Sequence, residues 1–152
     1  MAGGDFEVTG ADKLRTLSVK LKAAGDRDIT NTLRRELRAG SKETRTAVKR
    51  SAIETLPARG GLNRWAATTP GITASLSGRN PSVRITQRKR GHDIAALDAG
   101  TVRHPIYGRR KTWVAQDITP GFFTKPIERD ADKLRRLVTE KVSDAATRAA
   151  SL

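Results

Sequence analysis

Ile72-Thr73-Ala74-Ser75-Leu76, then Gly78-Arg79-Asn80-Pro81, then Val83-Arg84-Ile85-Thr86 is the stretch whose reading decides the fold. Apolar residues recur at every second position on either side of the Gly-Arg-Asn-Pro run. Successive strand residues point to opposite faces, so Ile72, Ala74 and Leu76 share one face, as do Val83 and Ile85. Ser82, Arg84 and Thr86 fall on the other. Gly and Pro between two such runs supply the reversal. The pattern predicts a β-hairpin with one buried face.

Upstream, the period is helical. Gly3 to Val8 is expected to be loose or an edge extension, and Thr9-Gly10-Ala11-Asp12 fits a capping box. Leu14, Leu17 and Leu21 then recur at helical spacing, with Gly25 as the stop. Ile29, Leu33, Leu37, Gly40, Thr44, Ala47 or Val48, Ser51 and Thr55 trace a second, longer stripe with a period near 3.6. One long helix is predicted there. Gly40 within it costs about 1 kcal/mol against Ala, and marks either a break or a close crossing by another element. Arg34, Arg35, Arg38, Lys42 and Arg45 lie on its remaining faces. Pro57 closes the helix, and Ala58 to Gly61 reads as a turn.

Downstream, Ile94-Ala95-Ala96-Leu97 leaves strand and helix both open, because four apolar residues carry no period. Residues 99–111 read as an irregular loop, and Thr112-Trp113-Val114-Ala115 as a return to the sheet. Pro120-Gly121 turns the chain. Pro126 falls in the first turn of a last helix, where its missing N–H is harmless. Ile127, Ala131, Leu134, Val138, Val142, Ala145 and Ala149 form that helix's apolar stripe. The order predicts an α+β fold over residues 1–152 as a single domain. It has N-terminal helices, a small antiparallel sheet with a β-hairpin and a long loop, and a C-terminal helix packed on the sheet.

Charge is unevenly distributed. The 152 residues carry 30 Lys and Arg against 16 Asp and Glu, a net charge of +14. Residues 57–111 hold eleven of the basic and two of the acidic residues, a net of +9. An excess of this kind points to a polyanion or an acidic protein surface as the neighbour. The candidate contacts are Arg84, Arg88, Lys89, Arg90, Arg103, Arg109, Arg110 and Lys111. Tyr107 and Trp113 lie among them as possible stacking or anchor residues.

Enzymatic chemistry finds little support. The chain has no cysteine, which removes disulfides and thiolate ligands. No phosphate-binding glycine loop, nucleophile elbow or His-Glu-x-x-His run occurs. His92 and His104 lack the partners for a metal site, so no metal and no cofactor is expected. His104 with Tyr107 and Arg109 are residue types used by small basic ribonucleases, which leaves a toxin of that kind as an outside alternative. No apolar run has the length of a membrane span, and the N-terminus lacks the pattern of a signal peptide.

Several motifs then combine. Pro57-Ala58-Arg59-Gly60-Gly61-Leu62 is followed by the hairpin. Asp98-Ala99-Gly100-Thr101, His104-Pro105, Trp113 and Phe122-Phe123-Thr124-Lys125-Pro126 come next, before the closing helix. In this order the chain resembles the small tail-completion, or head–tail joining, proteins of long-tailed bacteriophages. The resemblance implies a non-enzymatic virion protein of the phage neck, assembled in the host cytoplasm. It implies a homo-oligomeric ring, a hexamer by that likeness, around the DNA path. Its partners would be the neighbouring head–tail connector and tail proteins, with possible contact to packaged DNA and none to membrane. Pro57, Gly60, Leu62, Asp98, Gly100, Thr101, Pro105, Tyr107, Trp113, Phe122, Phe123 and Pro126 become the motif and interface candidates. A loop over residues 99–121 is expected to be brought to order by neighbouring subunits, with Tyr107, Trp113, Phe122 and Phe123 as interface anchors or, alternatively, as ordinary core under the sheet. The alternative of a different class is a free-standing nucleic-acid-binding protein using the same basic segment.

Overall fold

The computed structural model describes residues 4–9, 19, 23, 25, 27–68, 70–75, 82–87 and 90–151. Five strands and five helices run in the order β1 (Gly4–Thr9), α1 (Arg27–Gly40), α2 (Lys42–Thr55), α3 (Leu62–Ala67), β2 (Pro70–Ser75), β3 (Ser82–Gln87), α4 (Ile94–Asp98), β4 (Thr101–Ile106), β5 (Arg109–Asp117) and α5 (Thr124–Ala150) among the described residues. One 3-10 turn, Arg59–Gly61, precedes α3. The fold is α+β: helices at the N-terminal side, two small antiparallel sheets and a C-terminal helix. One sheet has the strand order β1-β3-β2, and the other is the pair β4-β5. The segment from Gly4 is thus an edge strand. Of the predicted helix over Leu14 to Leu21 only residue 19 is described, and it is helical; the Gly78–Pro81 turn lies outside the described residues.

By contacts the chain divides into two compact units. The first comprises Met1–Asp5, Thr44–Gly71 and Thr86–Glu128; the second comprises Phe6–Glu43, Ile72–Ile85 and Arg129–Leu152.

The core of the second unit is what the periodicities predict. Leu33 and Leu37 of α1, Ala74 of β2, Val83 of β3, and Val138, Val142 and Ala145 of α5 form one buried cluster. Ile29, Ile72, Leu137 and Ala149 pack against it. The long helical stripe is divided in two, because α1 ends at Gly40 and α2 starts at Lys42. Two local causes act at the break. A Cβ on Gly40 would stand 2.6 Å from both Leu137 methyl carbons, so α5 crosses there at a distance only glycine permits without a shift. Ser41 Oγ donates to the Leu37 carbonyl at 2.8 Å, the back-bonding that bends helices.

In the first unit Val48, Ala52, Leu56, Leu62, Ala66, Ile94, Leu97, Val102, Phe122, Phe123 and Ile127 are buried. Buried polar side chains tie its short elements together. Asn63 Nδ2 donates to the Ile53 carbonyl at 3.4 Å, and Gln87 Nε2 donates to the Ala66 carbonyl. The short helix α3 was not anticipated, since six residues are too few to display a period. Residues 94–98 are helical. Asp93 decides this, its Oδ1 accepting the N–H groups of Ala95 and Ala96 at 2.9 and 3.2 Å as an N-cap.

The expected irregular loop after Ala99 is instead a two-stranded ribbon. Thr101 pairs with Asp117, Val102 with Gln116, Arg103 with Ala115, His104 with Val114 and Pro105 with Trp113, antiparallel. Tyr107-Gly108 reverses the chain, with Gly108 at a left-handed φ of 79°. Trp113 therefore returns to β4, not to the sheet of β1, β2 and β3. The strands escaped prediction because neither face is buried along most of their length. Val102 alone is buried between Thr101 and Asp117, so no apolar alternation marks them.

Candidate functional site

Two features concentrate the sequence candidates, and both belong to the first unit: the β4–β5 ribbon and its root.

At the root, the Asp98-Ala99-Gly100-Thr101 segment meets the Pro120-to-Pro126 segment. Asp98 Oδ1 accepts the backbone N–H of Phe123 at 2.8 Å and that of Thr124 at 3.1 Å. Its Oδ2 accepts the Thr124 hydroxyl. The two N–H groups are backbone donors at the start of the 27-residue helix α5, where a helix leaves its N–H groups unpartnered, and a carboxylate there also meets the positive end of the helix dipole. The Asp98 carbonyl accepts Gly121 N–H at 2.8 Å, and the Gly100 carbonyl accepts Ile118 N–H at 2.8 Å. Gly100 has φ of 97°, and a Cβ on it would lie 2.9 Å from the Ile118 carbonyl oxygen. Backbone conformation and close backbone approach both require glycine. The root is thus a clasp that fastens both ends of the ribbon to the start of α5.

Asp98, Gly100, Thr101, Phe122, Phe123 and Pro126 are the motif candidates brought together here. Phe122 is 0% exposed and its ring meets that of Phe123 edge-on, with centroids 6.4 Å apart. These two rings are core, the second of the two readings the sequence left open for them.

The ribbon displays the opposite character. Tyr107 at the tip is 103% exposed and Trp113 is 54% exposed, and Ile106 is also open to solvent. Pro105 lies directly opposite Trp113, and both are exposed. Arg103, Arg109, Arg110 and Lys111 are exposed on the same ribbon. Between Thr101 and Asp117 these four cations face a single carboxylate, Asp117. The remaining cation candidates are scattered. Arg90 is exposed in the first unit, with its carbonyl accepting the Trp65 indole N–H at 3.3 Å. Arg84 is exposed on β3 in the second unit, and Arg88 and Lys89 lie outside the described residues. Pro57, Gly60 and Leu62 form the bend from α2 to α3, where Leu62 is buried, Pro57 half-buried and Gly60 exposed.

Sequence reasoning missed the Trp65 contacts. Besides the bond to Arg90, its ring meets His92 edge-on, with centroids 5.0 Å apart. No local pattern signals a pairing so far along the chain. His104 lies on β4, its Nδ1 3.2 Å from the Pro105 carbonyl oxygen. No group of three potential metal-ligating side chains occurs among the described residues, and none of the described helices is long and apolar enough to cross a membrane. Two ammonium groups have raised pKa values: Lys133, through its hydrogen bond and then its attraction to Glu43, and Lys141, likewise through Glu140. Both lie on α5, and neither belongs to the ribbon.

Comparison of the chain with protein-family models, with curated proteins and with solved structures found no match. Functional inference therefore rests on the residues themselves. An exposed ribbon that combines four cations with Ile106, Tyr107 and Trp113 has the composition of a contact surface, rimmed by charge and anchored by rigid apolar groups.

Proposed function

We propose that this chain is a non-enzymatic structural protein of a phage neck, a subunit of a ring that joins tail to head around the DNA path. The observation that carries the reading is the clasped ribbon. Asp98-x-Gly-Thr and Phe123-x-x-Pro126, two of the motifs through which the chain resembles tail-completion proteins, meet in one hydrogen-bonded root. From that root extends a ribbon whose side chains are left almost entirely to solvent.

Physical chemistry favours an assembly subunit for such a design. A two-stranded ribbon without a hydrophobic face is marginal alone. A rigid root that keeps it in place makes sense when its side chains have a partner to meet. Contacts made by one surface on a different surface of the next copy close into a ring when the rotation permits. Connector and tail proteins above and below the ring would be the further partners, in the virion and during assembly in the host cytoplasm.

Ring formation tests this reading. Electron microscopy of the purified chain at high concentration, and of particles that contain it, is expected to show closed rings of defined subunit number. A chain that stays monomeric at high concentration and is absent from particles contradicts it.

A further inference from the structure

We propose that the β4–β5 ribbon is a duplex-DNA-binding arm, seated in the major groove with its cations on the phosphates of both walls. The inference goes beyond the neck reading and does not depend on ring formation, because it rests on the ribbon's own side chains.

Three observations select this partner. First, Arg109 pairs with Ile106, which is three residues along β4 from Arg103, and the register shifts between Pro105 and Ile106 so that Arg110 and Lys111, both exposed, have no pairing partner on β4. Paired residues share a face and strand residues an odd number apart do not, so Arg103 and Arg109 put positive charge on both faces of the ribbon. A flat acidic protein surface meets only one face of a ribbon. A groove flanked by two phosphate walls meets both, and the major groove, about 12 Å wide, admits a two-stranded ribbon. Second, Arg103 adds a cation near the root, while Asp117 is the one carboxylate between Thr101 and Asp117. Nothing nearby on the ribbon neutralises the other cations. Third, the chain's net charge of +14 favours a polyanion as the neighbour of this surface. Tyr107 at the tip and Trp113 beside Pro105 supply apolar contact for sugar edges and thymine methyl groups.

The test uses the full-length chain and a fluorescein-labelled 20-base-pair duplex, read by anisotropy. The parent is compared with the fourfold variant R103Q/R109Q/R110Q/K111Q. A second variant, R35Q/R38Q/R50Q/R64Q, removes the same charge from exposed helical positions. Circular dichroism melting confirms that each is folded. If the hairpin variant does not fold, the pair R109Q/K111Q replaces it, with a difference of roughly 12-fold expected from two phosphate contacts over the same range of 50 to 200 mM salt. Between 50 and 200 mM salt, the parent is expected to lose roughly 150-fold more affinity than the hairpin variant, from counterion release at four phosphate contacts. The helical variant is expected to bind at least tenfold more tightly than the hairpin variant. Methyl green, a major-groove ligand, should compete, and the minor-groove ligand netropsin should not. Equal losses in both variants would reduce the effect to net charge and overturn the proposal. So would displacement by netropsin alone, or polyglutamate competing as well as unlabelled duplex, which would assign the ribbon to an acidic protein. Sedimentation without DNA keeps the two readings apart. Hairpin-dependent DNA binding without rings removes the neck reading only, and rings without such binding remove the arm only.

Discussion

Asp98 is the residue on which the site turns. Its carboxylate takes three donors, the backbone N–H groups of Phe123 and Thr124 at the helix start and the Thr124 hydroxyl, from residues 25 and 26 positions away. Replacing it by Ala leaves the buried Phe123 N–H and the Thr124 N–H without acceptors, which costs about 1–3 kcal/mol. Asp98→Asn keeps the Oδ1 acceptor, and its amide can donate to the Thr124 hydroxyl, so about 1 kcal/mol or less is expected. Denaturant melts of the two variants check the ranking, and equal effects would show that the carboxylate does not cap the helix. The sequence motif singled out Asp98 and Gly100, but their work was not legible there. A cap supplied across so long a loop leaves no local spacing to read. Asp93, which caps its own helix two and three residues on, is the contrasting case: its position before Ile94 is a readable signal.

Elements were legible in proportion to what they bury. The stripes of α1 and α5 and the alternation of β2 and β3 each place one face in the second unit's core, so hydrophobic period revealed them. The β4–β5 ribbon buries only Val102 and carries no such period. The same fact governs its energetics. Amides of Arg103 to Ala115 are expected to exchange with deuterium well before those of Ala131 to Ala145 in the isolated chain, and to become protected when a partner binds. Equal protection from the start would mean that the ribbon is stable without a partner. At the α1–α2 break, Gly40 and Leu137 are coupled by direct approach. Gly40→Val is expected to cost about 1–3 kcal/mol by overpacking. Combining it with Leu137→Ala should recover part of that loss, since residues in contact are not additive. Simple additivity in a double-mutant cycle would show that the crossing is not close.

At the scale of the whole molecule, charge separates folding from function. The ribbon's cations are exposed, so their removal should change stability by no more than about 0.5 kcal/mol. The core in each unit owes nothing to them. Their value lies in what meets them outside the fold, which on the proposed reading is duplex DNA. The positive total was legible from composition, but its concentration on one ribbon was not, because the pairing of β4 with β5 brings Arg103 beside residues that follow the turn. The most direct test of the neck assignment is head–tail joining with heads and tails assembled without this chain. Parent protein, added back, is expected to restore joined particles. The R103Q/R109Q/R110Q/K111Q variant is expected to melt like the parent and fail to restore them. Heads and tails that join without the chain, or a variant that joins them as well as the parent, would contradict the account.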